Sequence, residues 1–506
     1  MITFPDGRDS QKKVRIIPRG RLLLFLSYLS LMVLAVGFLQ HLPAMYNLVL
    51  SAITVILGGM LSVTNKLYFC CFIVPSSLLG PVSRIELPGV GMFNIGDALL
   101  GVMAISLVGL WSKENIGFNR YRAYFLVMVL CVATNILMSG NISLSISGLL
   151  NMAEIAIVYL FTFTVIRTRQ QARTCINAFA FGVAVVALVH IYSYTQGYNM
   201  NMGLSTEASE AMTNTILGLV DSPYIKASFF YGNFSIACSI VAVIGLRSVI
   251  LSRQVKLRSL YLWILTILVV LVSGSITART PLFVVFPLGL LMLFILWQKK
   301  ESFGGKIKKA ALSIMILIVV SYMLFMAFDL LISSRQQEAY LTMFTEDGSE
   351  SMRQRFNMWG AAIKKPFQNP NEFLFGIGPN VNLRLLSSGI QGENDVFQVD
   401  GSPIISFHNF FIDAIFQLGI IFGLSMILLI LSTLISLLRG LKKNGYQDGV
   451  ALDCVLGILA FILAGFTLGA AWSKPYIIVA QLFAISHLLI SGRFGDIPSK
   501  KCHVGG

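Results

Sequence analysis

Charge is what this chain has least of. Only 12% of its 506 residues are Asp, Glu, Lys or Arg, against roughly 25% in an average soluble domain. Another 56% are apolar, and one soluble core of this size could not hide that much apolar surface. Histidine is rarer still, at five positions: His41, His190, His408, His487 and His503. The seven cysteines fall in or beside apolar segments, apart from Cys502 in the basic tail, and none lies between 332 and 407. That placement argues against a disulfide framework, and no cluster has metal-ligand spacing. No cofactor motif, internal repeat, second soluble domain or aromatic-plus-basic low-complexity tract is found. The net charge of +15 therefore does not signal a nucleic-acid partner.

What the chain has in abundance is long apolar runs. About 20 apolar residues cross the hydrocarbon core of a bilayer. Fourteen candidate spans follow: 21–39, 43–64, 67–80, 92–111, 121–139, 145–166, 175–195, 227–250, 259–276, 281–298, 310–331, 408–438, 451–471 and 475–492. The third is short and contains Pro75. The first reads as a retained helix rather than a signal peptide, because no small-x-small cleavage site follows it. The expected fold class is thus an all-α polytopic membrane protein with about fourteen transmembrane helices.

The basic residues give the orientation. With a cytoplasmic N-terminus (1–20), the segments on that side, including the tail 493–506, hold 28 of the 38 lysines and arginines. Such a bias is the positive-inside pattern. Helices 1–11 then occupy 21–331 and helices 12–14 occupy 408–492. Two segments on the opposite side are long, 196–226 and 332–407. Connections beyond about 15 residues tend to carry function or to be disordered. The second contains Phe356, Trp359, Phe367 and Phe375 and is expected to fold, with a helix near 350–366.

Cations on the outer side are informative because the topology pattern does not require them. Arg279 ends the run Ser275-Ile276-Thr277-Ala278-Arg279. It is either a snorkelling helix-end arginine or a ligand for an anion. Arg353 and Arg355 are two apart, so on a helix they diverge by about 200° and only one faces a given ligand. Arg355 and Trp359 share a face, although Glu346, Asp347 and Glu350 upstream also fit a plain salt-bridged surface. His408 stands where the long segment re-enters the membrane. On a continuous helix Asp413 would lie about 140° round from it, an awkward geometry for a dyad. Among acids in spans, Asp97, Asp329 and Asp413 lie toward outer ends, Asp453 near the inner end, where solvation is cheap, and Glu154 nearest the middle.

Four stretches, spread over about 226–423, together resemble the O-antigen ligase and polymerase superfamily of bacterial envelope glycosyltransferases. Gly274 to Arg279 resembles a helix-end element of small residues leading to an arginine. Arg355 to Gly378 resembles an R-x-x-x-W…P…G-x-G loop. His408 to Gly423 reads H-N-x-x-x-D and then L-G-x-x-x-G, and Lys226 to Asn233 resembles an R…N element with lysine for arginine. The resemblance implies a GT-C-like fold in the bacterial cytoplasmic membrane and an undecaprenyl-diphosphate-linked glycan as donor. It implies inverting transfer to a sugar hydroxyl, without metal or other cofactor. It also implies a diphosphate site of Arg279 with Arg353 or Arg355, supported by Lys226, Arg384 and Trp359, and His408 as the base. Membrane lipid and a chain-length regulator are the implied partners. Helix count and the second outer segment favour a polymerase of O-antigen, capsule or exopolysaccharide. The alternatives are a ligase acting on lipid A-core and, in another class, a transporter or flippase of lipid-linked sugars.

Overall fold

The computed structural model describes residues 19–39, 44–79, 85–87, 91–111, 120–138, 142–195, 234–251, 257–277, 280–298, 359–360, 370–376, 398–399, 402–403, 409–444, 446, 448–466 and 476–494, with isolated positions at 307, 311, 314, 315, 318 and 322. In chain order the helices are α1 (Arg19–Leu39), α2 (Ala44–Thr64), α3 (Lys66–Leu78), α4 (Ile95–Trp111), α5 (Arg120–Met138), α6 (Ile142–Val165) and α7 (Arg169–Thr195). They continue as α8 (Phe234–Ile250), α9 (Leu257–Thr277), α10 (Thr280–Gln298), α11 (Pro370–Phe375), α12 (Phe410–Lys443), α13 (Gly449–Gly465) and α14 (Tyr476–Ile490). Every expected span but 310–331 coincides with one of these helices. Most of 310–331 lies outside the described residues, as does nearly all of 350–366.

Among the described residues, four helices are long and apolar enough to cross a membrane by length and composition, within Gly20–Gly37, Met45–Thr64, Arg169–Tyr192 and Phe410–Lys443, and eight further apolar helices have 10–17 residues. The chain is a multi-pass membrane protein. Two small antiparallel hairpins depart from the all-α expectation, β1 (Ile85–Leu87) with β2 (Gly91–Phe93), and β3 (Gln398–Val399) with β4 (Ser402–Pro403). Ladders of two or three residues leave too little periodicity to read from sequence.

Sequence decides which helices are central. Helix α8 is apolar all round, and every residue from Phe234 to Leu246 is buried, as such a helix must be. Helices α9, α10 and α13 pack around it. By contrast α1 exposes Leu22, Phe25, Leu29, Val33 and Val36 in a three-to-four-residue stripe, the face expected to meet lipid.

Backbone irregularities are satisfied from neighbouring helices, as hydrocarbon demands. Pro75 lies inside α3 and cannot donate to the carbonyl four residues back. That carbonyl, on Cys71, accepts from the Tyr28 hydroxyl at 3.5 Å, and the adjacent Cys70 carbonyl accepts from Gln481 Nε2 at 2.8 Å. Gly182 of α7 leaves room for the proline ring, since a Cβ there would lie 3.0 Å from it. Deeper still, His487 of α14 shares hydrogen bonds with Tyr159 of α6 at 2.7 Å and Thr433 of α12 at 2.9 Å.

Several basic residues expected on the cytoplasmic side meet at one end of the bundle. Arg169 pairs with Asp448 at 3.1 Å, and Arg493 lies over the Phe163 ring at 5.3 Å. Asp448 also caps α13, accepting from the amides of Val450 and Ala451. Asp453 corrects the sequence reading of a cheaply solvated acid. It is buried, and its carboxylate lies 3.3 Å from the Arg247 guanidinium, an ion pair by distance that falls short of hydrogen-bond geometry.

Candidate active site

The C-terminal end of α9 turns into α10 with only residues 278 and 279 between the helices. The small residues that lead to Arg279 have a packing reason. A Cβ on Gly274 would lie 2.8 Å from both Cys238 of α8 and Pro281 of α10, so only glycine lets the hairpin close on α8. Ser273 shares a 2.7 Å hydrogen bond with His190 of α7. Ser275 and Thr280 are buried beside it. This polar, tightly packed helix end brackets Arg279, which itself lies outside the described residues.

The re-entry helix α12 begins at Phe410, not at His408. Asn409 is its cap, with extended backbone (φ −147°, ψ 110°), and accepts from the amides of Phe411 and Ile412 at 3.0 and 3.2 Å. Asn is favoured at such a cap because its side-chain oxygen satisfies amides that lack helical partners. His408 therefore precedes the helix. The helical angle between His408 and Asp413 no longer applies, because Asn409 is not helical. Asp413 is buried one turn into α12.

Helix α12 is broken at Gly419, whose backbone is far from helical (φ 84°, ψ 169°). The preceding segment Phe410–Leu418 leans back so far that Ile415 occupies the place a Gly423 side chain would need. Both glycines of the L-G-x-x-x-G pattern thus have a structural reason. At the break, Gly376 from the end of α11 meets α12 backbone to backbone. It too has a positive φ, of 77°, and a Cβ on it would overlap the Gln417 carbonyl. The short helix α11 is thereby seated on the break.

One side chain joins these two backbones. Asn135 of α5 donates from Nδ2 to the carbonyl of Phe375 and, at 3.2 Å, to the carbonyl of Gln417. It is 1% exposed. Nothing in the sequence singled it out, because an asparagine inside an apolar helix has no motif. The only available signal was an uncharged polar residue at membrane depth, which ordinarily binds a neighbouring helix.

Of the residues proposed from sequence, Trp359 is described, as a half-buried helical residue. Lys226, Arg279, Arg353, Arg355, Arg384 and His408 lie outside the described residues. What is described are the flanks of two of them: the Gly274–Pro281 hairpin around Arg279, and the Asn409 cap and Gly419 break after His408.

These elements define a multi-pass helical protein with a broken re-entry helix on which a loop helix is seated. A family model described as O-antigen ligase matches residues 260–428, so the resemblance to that superfamily stands on a direct match. The match covers about a third of the chain and runs from α9 to the middle of α12. It includes Arg279, Arg353, Arg355, Trp359, Arg384, His408, Gly376 and Gly419, and leaves Lys226 and Asn135 outside. The matched family indicates glycosyl transfer of the ligase or polymerase type, with lipid-linked glycans as substrates. Among curated proteins, none matches the chain.

Proposed function

We propose that this protein is a polysaccharide repeat-unit polymerase of the bacterial cytoplasmic membrane, acting on undecaprenyl-diphosphate-linked glycan at the outer face. The observation that carries the reading is the family match over residues 260–428. It falls on three of the four places where sequence had put the chemistry, the α9–α10 turn, the 332–407 segment and the start of α12, and leaves out Lys226.

In this reading the transfer is a single inverting displacement. An acceptor sugar hydroxyl attacks the anomeric carbon of the lipid-linked glycan. The bond from that carbon to the diphosphate oxygen breaks, and undecaprenyl diphosphate leaves with the electron pair. Arg279, with one of Arg353 and Arg355, holds the diphosphate and stabilises its growing charge, because guanidinium pairs with phosphate through two parallel hydrogen bonds. Lys226 and Arg384 add positive field, and Trp359 supports Arg355. His408 takes the hydroxyl proton; its ordinary pKa of about 6.5 leaves imidazole mostly neutral at pH 7. General-base help of this kind contributes about 10²–10⁴ in rate.

A ligase transferring finished glycan to lipid A-core uses the same donor chemistry, and the match to an O-antigen ligase family favours that second reading. The test uses purified full-length protein in detergent with lipid-linked repeat units, with and without lipid A-core. Lengthening of the lipid-linked glycan without core supports polymerase; transfer only when core is present supports ligase. Neither product, with movement of lipid-linked sugar across vesicles instead, would leave the transporter reading.

A further inference from the structure

We infer that Asn135 is a positioning residue for glycosyl transfer, which sets the placement of α11 against the re-entry helix. The inference rests on the transferase reading above. Its structural basis is the junction where Asn135, Phe375, Gly376, Gln417 and Gly419 meet.

Three independent observations converge there. First, a helix broken at membrane depth frees backbone carbonyls that hydrocarbon cannot solvate. Asn135 supplies the donor for one of them, on Gln417. Second, its other N–H goes to Phe375, the last residue of α11 and the one that leads into Gly376. One side chain thus holds the loop helix and the break together. Third, a Cβ on Gly376 would overlap the backbone of Gln417 and Leu418, and a Cβ on Gly419 would overlap the backbone of Leu374 and Phe375. The contact is therefore a fixed seat with one geometry.

The chemistry explains why that seat bears on rate. Arg353 and Arg355 precede α11 by fewer than 20 residues and His408 precedes the break by 11. The cations proposed for the diphosphate and the base proposed for the acceptor thus lie on the two chain segments that this junction joins. Asn135 itself comes from α5, outside the matched region, and both N–H donors of its amide are already committed to protein carbonyls. Its loss should spare donor binding and misalign the reacting groups. A misplacement of about 1 Å costs on the order of 10²-fold in rate.

The test compares wild type with Asn135→Leu, which keeps size and loses both donors, and Asn135→Ser, a smaller change that keeps one hydroxyl donor. Each purified full-length protein is assayed for transfer, using lipid-linked glycan extracted from the source bacterium's membranes, and for tryptic cleavage at Arg384. The expected result is a ten- to hundredfold fall in kcat for Asn135→Leu, a donor KM within threefold of wild type, faster cleavage at Arg384, and an intermediate Asn135→Ser. If Asn135→Leu does not accumulate, the Asn135→Ser values decide. An unchanged kcat overturns the positioning role even if cleavage quickens, leaving only a structural tether. An equal rise in KM overturns it in favour of direct donor contact. A wild type that transfers nothing removes the transferase reading itself, and the positioning role falls with it.

Discussion

Gly376 and Gly419 sit on the two sides of one backbone contact, each at a positive φ: a Cβ on Gly376 would meet the backbone of Gln417 and Leu418, and a Cβ on Gly419 that of Leu374 and Phe375. Two glycines 43 positions apart in sequence thus form one joint between a loop helix and a transmembrane helix. The joint predicts a sharp asymmetry among glycine substitutions. Gly376→Ala and Gly419→Ala each place a Cβ in left-handed backbone, costing about 1–3 kcal/mol, and add an overlap with backbone that cannot yield. Gly101→Ala, mid-helix with no heavy atom within 4 Å of its Cβ, is neutral or gains up to about 1 kcal/mol. Thermal-shift size-exclusion profiles of tagged protein read the difference. Equal melting for all three variants would mean the joint does not form.

The Arg247–Asp453 pair predicts strong coupling. Both side chains are nearly buried, so removing one partner leaves a charge without its counterion, a loss of about 3–5 kcal/mol. Arg247→Met and Asp453→Leu should each lower the melting temperature sharply. The double variant should recover most of the loss, because apolar replacements of a buried pair are often close to neutral. Additive losses in the double-mutant cycle would show that the two residues act independently.

Arg279 predicts a failure of the conservative change. If it holds diphosphate, Arg279→Lys impairs transfer nearly as much as Arg279→Ala, because an ammonium point charge does not reproduce the planar fork. Expression holds in both, since a rim arginine contributes little to folding. Glycan length on gels from cells carrying each variant reads the outcome. Wild-type glycan from Arg279→Ala would return Arg279 to a snorkelling helix end.

Topology is tested by reporter fusions at Ser349 and Lys500. The split of basic residues places the first outside the cytoplasm and the second inside. A cytoplasm-active reporter at Ser349 would reverse the orientation and remove the outer-face mechanism.

Much of the architecture was legible because lipid imposes one rule per helix: enough apolar length, with every backbone group satisfied internally. Thus the runs 21–39 and 259–276 reappear as α1 and α9 nearly residue for residue. The start of α12 was misplaced by two residues, because His408 and Asn409 read as part of an apolar run while Asn409 in fact caps it. Asp453 was misread for a related reason: its partner Arg247 lies on a helix some 200 residues away, and periodicity carries no information about neighbours. The glycines of the G-x-G and L-G-x-x-x-G patterns were visible as motifs, but that their two segments meet backbone to backbone was not. Asn135 was invisible until both of its carbonyl partners had been placed.

The central claim is that this chain moves a glycan from a diphosphate lipid to a sugar hydroxyl with His408 as base. The most direct measurement is single-turnover transfer by purified full-length protein, wild type against His408→Ala, with lipid-linked glycan and acceptor and with donor binding measured in parallel. The account predicts that His408→Ala binds donor as wild type does and transfers about 10²-fold or more slowly. Transfer by His408→Ala at the wild-type rate would contradict it.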